Sequence, residues 1–227
     1  CFYAATVLAL IPMKTPYYQE RTANNEGSPL ANLIEGIQYI RKQERVILNL
    51  ILLGLIPNVL LHPVWFMLPV FTVDVLHRNV EVGGYLLATT GAGGLISALA
   101  IASLGFGINR GLVCLFSIMF AATTTILFAH SQWLFLAIIF IGAMSFGQAN
   151  FRTSSSTLIQ SLVPDQLRGR ITSLHMYSQG FVFMSSLAVG WLVDLTTVVV
   201  ALTVIGSAGL VLGLISYMIL PRVRDAR

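Results

Sequence analysis

Charge is scarce in this chain. Asp, Glu, Lys and Arg make up 10% of its 227 residues, against about 25% in soluble domains. So few charges cannot cover the surface of a water-soluble fold of this size. Cysteine is scarcer still. Cys1 opens the chain and Cys114 sits in a long apolar run, which excludes a disulfide framework or a cysteine metal site. Both read as small hydrophobes. The chain also has no G-x-x-x-x-G-K-[ST] phosphate loop, no G-x-S-x-G elbow and no HExxH pair. Nothing in it announces nucleotide hydrolysis, a serine hydrolase or a zinc peptidase. No catalytic residue, cofactor or metal ligand is therefore assigned, and the chain is not read as an enzyme.

What is present is apolar: 56% of residues are hydrophobic and the mean hydropathy is +0.81. Six apolar stretches run over about 46–73, 83–108, 112–129, 134–158, 174–193 and 197–220. Each can cross a hydrocarbon core at about 1.5 Å per residue. Backbone groups in lipid must be bonded within the segment, so the stretches are predicted to be helices. A membrane barrel would alternate polarity over segments of roughly ten residues, and these do not. The expected fold class is an all-α membrane protein with six transmembrane helices over residues 46–221.

The formal net charge of +4 would suit nucleic acid, but its placement points to a membrane. If the loops alternate between sides, 12 of the 13 basic residues fall on one side and Arg78 alone on the other. The rich side is the cytoplasmic one. Both ends of the six-helix bundle, including the tail at 222–227, are thus expected in the cytoplasm, with the bundle in the cell membrane.

Ahead of the first span, Cys1 to Ile11 is apolar but too short to cross a bilayer. Residues 1–12 read as the end of a preceding helix, so the chain is expected to be a fragment. Residues 13–45 read as a central cytoplasmic loop. Within it Leu30, Leu33, Ile34, Ile37 and Ile40 share one helical face. A helix over about 30–43 is predicted, either amphipathic on the membrane surface or a cytosolic extension of the next span.

Two spans differ from the others. The first carries Pro57, Pro63 and Pro69, with Asn49, Asn58 and His62. Proline removes a backbone donor and bends a helix. The fourth carries Gln148, Asn150 and Arg152, with Ser145, Gln148, Arg152 and Ser155 on one face. Polar side chains at membrane depth face protein or a wet cavity. Two interrupted or polar helices in corresponding positions of a three-plus-three arrangement point to a transporter's substrate path. The candidate path residues are Asn58, His62, Gln148, Asn150 and Arg152. Each has a plainer reading: Arg152 snorkels to the inner interface, His62 satisfies a local carbonyl, and Gln148 and Asn150 bond between helices. Trp65, Trp133 and Trp191 read as interface anchors. The second span has a seam of Gly84, Ala88, Gly91, Ala98, Ala102 and Gly105, and the last has Gly209 and Gly213. Both suit close helix packing, static or rocking.

The loop Pro164-Asp165-Gln166-Leu167-Arg168-Gly169-Arg170 resembles the loop between helices ten and eleven of the major facilitator superfamily. It looks closest to the drug-efflux and siderophore-exporter branch, the transmembrane secretion effectors. Glu35 to Arg41 looks like the surface helix before helix seven. Leu68-Pro69-Val70-Phe71 with Asp74-Val75-Leu76 looks like the outer end of helix seven, and Gly190-Trp191-Leu192-Val193-Asp194 like the end of helix eleven. The resemblance implies the C-terminal half of a twelve-helix bundle whose partner is the missing N-terminal half. It implies a secondary active exporter of small hydrophobic or amphipathic molecules, coupled to protons, with membrane lipid around it and no nucleic acid partner. On this resemblance Pro164, Asp165, Arg168, Gly169 and Arg170 form a cytoplasmic gate loop. One motif departs from the family pattern. The loop Leu104 to Gly111 keeps Arg110 but lacks the acidic residue of the usual Gly…Asp…Arg lock. The competing classes are the membrane-spanning part of an ATP-driven pump and a non-transport structural membrane protein.

Overall fold

The computed structural model describes residues 45–104, 109–163 and 180–224, and among these there are helices and no strands. The elements are α1 (Arg45–Ile56), a π-helical turn (Pro57–Leu61), α2 (Val64–Asp74), α3 (Glu81–Leu104), α4 (Arg110–Ala129), α5 (Leu134–Leu162), α6 (Phe181–Leu195), α7 (Val198–Ile219) and the short α8 (Pro221–Arg224). Five stretches are long and apolar enough to cross a membrane, α1 through α2 counting as one, and α6 is a shorter apolar helix. The predicted surface helix and the gate loop lie outside the described residues.

Local chemistry sets the boundaries. Asn109 precedes α4 and its Oδ1 accepts from the Leu112 N–H at 3.3 Å, so the residue beside Arg110 acts as a helix cap. Thr197 caps α7 in the same way, accepting from the Val200 N–H at 3.3 Å. The first span is broken by its prolines. Pro57 has no N–H to give, and the chain widens into a π turn in which the His62 N–H donates to the Pro57 carbonyl at 2.8 Å. Pro63 then starts α2 afresh.

α4 is the central helix. In its span 56% of the residues are buried, against 22% for α3. It packs against α5 on one side and α7 on the other, and α5 also packs on α3. Glycines permit these approaches. A Cβ on Gly206 would lie 2.8 Å from Ile126 Cγ1, and one on Gly93 would run into the Gly142 carbonyl. The row of α3 that packs is Gly83, Leu86, Thr90, Gly93 and Ser97, all buried. The expected seam of Gly84, Ala88, Gly91, Ala98 and Ala102 is exposed instead, and Gly105 lies outside the described residues. Small residues stand on several faces of α3, so their spacing alone does not select the packed one.

The apolar core has two parts. One joins Leu61, Val64, Leu68 and Phe71 to Phe128, Ile141 and Met144, with the Phe71 and Phe128 rings stacked 4.2 Å apart. The other joins Ile47, Leu50 and Leu53 to Cys114, Leu115, Leu158 and Ile159. Outward, large apolar side chains stand free, including Met218 at 82% and Leu187 at 77% exposure. Such a surface is suited to lipid rather than water.

Candidate functional site

Between the two cores the first span carries Asn58, and α5 carries Ser145, Gln148 and Asn150. There the π turn, α3 and α5 enclose a cavity of about 320 Å³, within the size range of small-molecule sites. All three walls come from the middle stretches of their spans.

The first wall follows from the broken helix. Asn58, His62 and Trp65 stand three and four residues apart and all line the cavity, with Pro57 beside them. The imidazole of His62 lies against the indole of Trp65, centroids 4.4 Å apart and planes tilted by 40°. The second wall is one face of α5: Ser145, Gln148, Ala149 and Arg152, with Phe151 at its edge. These fall at i, i+3, i+4 and i+7, the spacing of a single helical stripe. The third wall is Thr90, Gly91 and Gly94 of α3. A Cβ on Gly91 or Gly94 would meet nothing within 4 Å, so the missing side chains leave the cavity its room.

The second and third walls are tied together. Ser145 Oγ donates to the Thr90 carbonyl at 2.7 Å in a buried hydrogen bond between α5 and α3. Two other polar atoms on the walls remain unmatched. Trp65 Nε1 and Gln148 Nε2 are buried and make no hydrogen bond among the described residues.

Of the path residues expected from sequence, Asn58, His62, Gln148 and Arg152 come together on this cavity. Arg152 is exposed on its wall. Asn150 is 6% exposed and lies outside the lining. It sits two residues from both Gln148 and Arg152, and two residues turn a helix by about 200°. Ser155 is fully buried and bonds the Arg152 carbonyl at 3.3 Å. Trp65, expected as an interface anchor, lines the cavity with His62 against it. Trp133 and Trp191 stand 72% and 64% exposed. The α3 wall was not singled out from sequence for this site. A pair of glycines and a threonine carry no charge or aromatic signal, and only the fold brings them opposite α5. Pro164, Asp165, Arg168, Gly169 and Arg170 lie outside the described residues.

Among the described residues, no three His, Cys, Asp or Glu side chains gather as a metal site would require. The arrangement is a polar chamber inside an apolar helix bundle, formed where one helix is interrupted and another carries a polar stripe.

No curated protein matches the chain. A family model described as Major Facilitator Superfamily matches residues 1–184, most of the chain and every wall of the cavity. The chain belongs to the major facilitator superfamily of secondary transporters.

Proposed function

We propose that this protein exports small hydrophobic or amphipathic molecules across the cell membrane by alternating access, and that the chain corresponds to the C-terminal six helices of a twelve-helix carrier. The observation that carries the reading is the cavity. Discontinuous helices meeting polar side chains near the middle of the membrane are how secondary transporters build their cargo sites. A proline-broken helix and the polar stripe of α5 meet in this way at Asn58, His62, Gln148 and Arg152.

Other features support the finer parts. The Pro164-to-Arg170 loop resembles that of the drug-efflux branch, and the order of the four matching pieces suits the second half of the bundle. The missing partner is then the N-terminal half. The bias of basic residues favours both ends of the bundle in the cytoplasm. Arg168 and Arg170, with Pro164, Asp165 and Gly169, would meet helix carbonyls, acids of the other half or anionic lipid there. That contact would hold the inner side shut while the cavity opens outward. Proton coupling through a carboxylate needs an acid at membrane depth. Asp74 and Asp194 stand at span ends, so a carboxylate carrier would belong to the other half.

The test is flux. The full-length protein in proteoliposomes, given a panel of fluorescent amphipathic dyes, is expected to move at least one of them against its gradient when a pH difference is imposed. A protonophore is expected to abolish the movement. Movement that ignores the pH difference removes the coupling. No carrier-dependent movement of any dye contradicts the exporter reading.

A further inference from the structure

The wall of the cavity is one-sided in its chemistry. Among the described residues it holds one fully ionic side chain, Arg152, and no carboxylate. Arg152 makes no ion pair among the described residues and stands exposed. The same wall carries Gln148, whose Nε2 donor is buried and unmatched among the described residues, and the first-span wall carries Trp65, whose Nε1 donor is likewise unmatched. A buried donor without an acceptor is a standing penalty that an arriving acceptor removes. Ser145 adds no further donor to the wall, since its O–H is already given to the Thr90 carbonyl at 2.7 Å. The lining also carries an aromatic surface, the Trp65 indole with His62 against it and Phe151, beside the Asn58 amide and the small residues of α3.

A cation, an amide N–H and an indole N–H select for oxygen acceptors, most strongly for an ionised one. The aromatic surface selects for a flat apolar body. We propose that the cavity binds amphipathic organic anions, with the carboxylate turned toward Arg152 and the Gln148 and Trp65 donors, in preference to cations of the same shape. The proposal rests on reading the cavity as the cargo site. It narrows the cargo from amphipathic molecules in general to those bearing an anionic oxygen head.

Trp65 supplies its own reporter. In the full-length protein carrying Trp133→Phe and Trp191→Phe, both at exposed positions, Trp65 is the only indole left in these 227 residues, and any Trp of the other half is replaced by Phe as well. Nitroaromatic probes of one shape and three charges then quench it on binding: 4-nitrobenzoate, 4-nitrobenzyl alcohol and 4-nitrobenzylamine at neutral pH. The carboxylate is expected to bind about tenfold tighter than the ammonium. Arg152→Gln is expected to erase that preference, lowering the carboxylate's affinity far more than the alcohol's. Gln148→Leu is expected to weaken the carboxylate severalfold. If Arg152→Gln does not fold, the order of the three probes on the parent protein decides alone. An ammonium that binds as well as the carboxylate, or better, overturns the anion preference and leaves the transporter reading standing. No saturable quenching by any of the three overturns the cavity as a ligand site, and both readings fall with it.

Discussion

Arg152 sits in the membrane-spanning part of α5, where lipid would penalise it. A charged side chain at the centre of a spanning helix costs about 2.5–3.5 kcal/mol on insertion scales. The polar cavity provides the setting in which that cost is reduced. Ser145 shows the complementary case, a polar group whose donor is used by the fold. Its bond to the Thr90 carbonyl is expected to contribute about 0.6 kcal/mol, the average for side-chain bonds between membrane helices, and at most about 1.7. Ser145→Ala should lower stability by that amount in a denaturant titration in bicelles. A loss of several kcal/mol would mean that the contact does more than join two helices. Much of this scale was legible from sequence. Asn58, His62, Gln148 and Arg152 stand out because each is polar within an apolar run, and a polar residue there needs a reason. Trp65 was not legible. An aromatic in the outer part of a span suits the interface and the interior equally, and only the fold sets it on the cavity.

At the scale of elements, two features shape the site: the break in the first span and the bare surface of α3. The break was readable, because three prolines in one span forbid a continuous ladder of backbone bonds. The surface was not. α3 carries small residues on several faces, so the pattern announces close packing without saying on which side. The structure divides those glycines by task. Gly93 touches the Gly142 backbone, while Gly94 next to it opens on the cavity. The two positions should therefore respond differently to the same change. Gly93→Leu is expected to force α3 and α5 apart, costing several kcal/mol as overpacking does at its worst, and should appear as loss of folded protein on size exclusion. Gly94→Leu is expected to fold normally and to abolish transport by filling the chamber. Equal loss of folded protein in both variants would show that the α3 surface at Gly94 is packed rather than open.

Taken whole, the molecule is a lipid-facing bundle with two apolar cores and a polar chamber at the level where they meet. Fold class was legible at this scale because lipid imposes so few solutions: apolar stretches of that length can only be helices. The pairing of helices was not, since α4 lies at the centre through contacts between glycines and side chains far apart in sequence. The claim on which the rest depends is that water and cargo reach the chamber while the outside of the bundle meets only acyl chains. It is tested most directly by a thiol placed on each surface, Gly94→Cys in the chamber and Val211→Cys on the exposed side of α7. Cys1→Ser, with any Cys of the other half replaced by Ser, forms the background, and Cys114 stays in place, fully buried. The expected result in intact membranes is reaction of the Gly94→Cys thiol with a charged, water-soluble methanethiosulfonate, while Val211→Cys reacts only with a lipophilic maleimide. A thiol at position 94 that ignores the charged reagent yet takes the lipophilic one would contradict the claim.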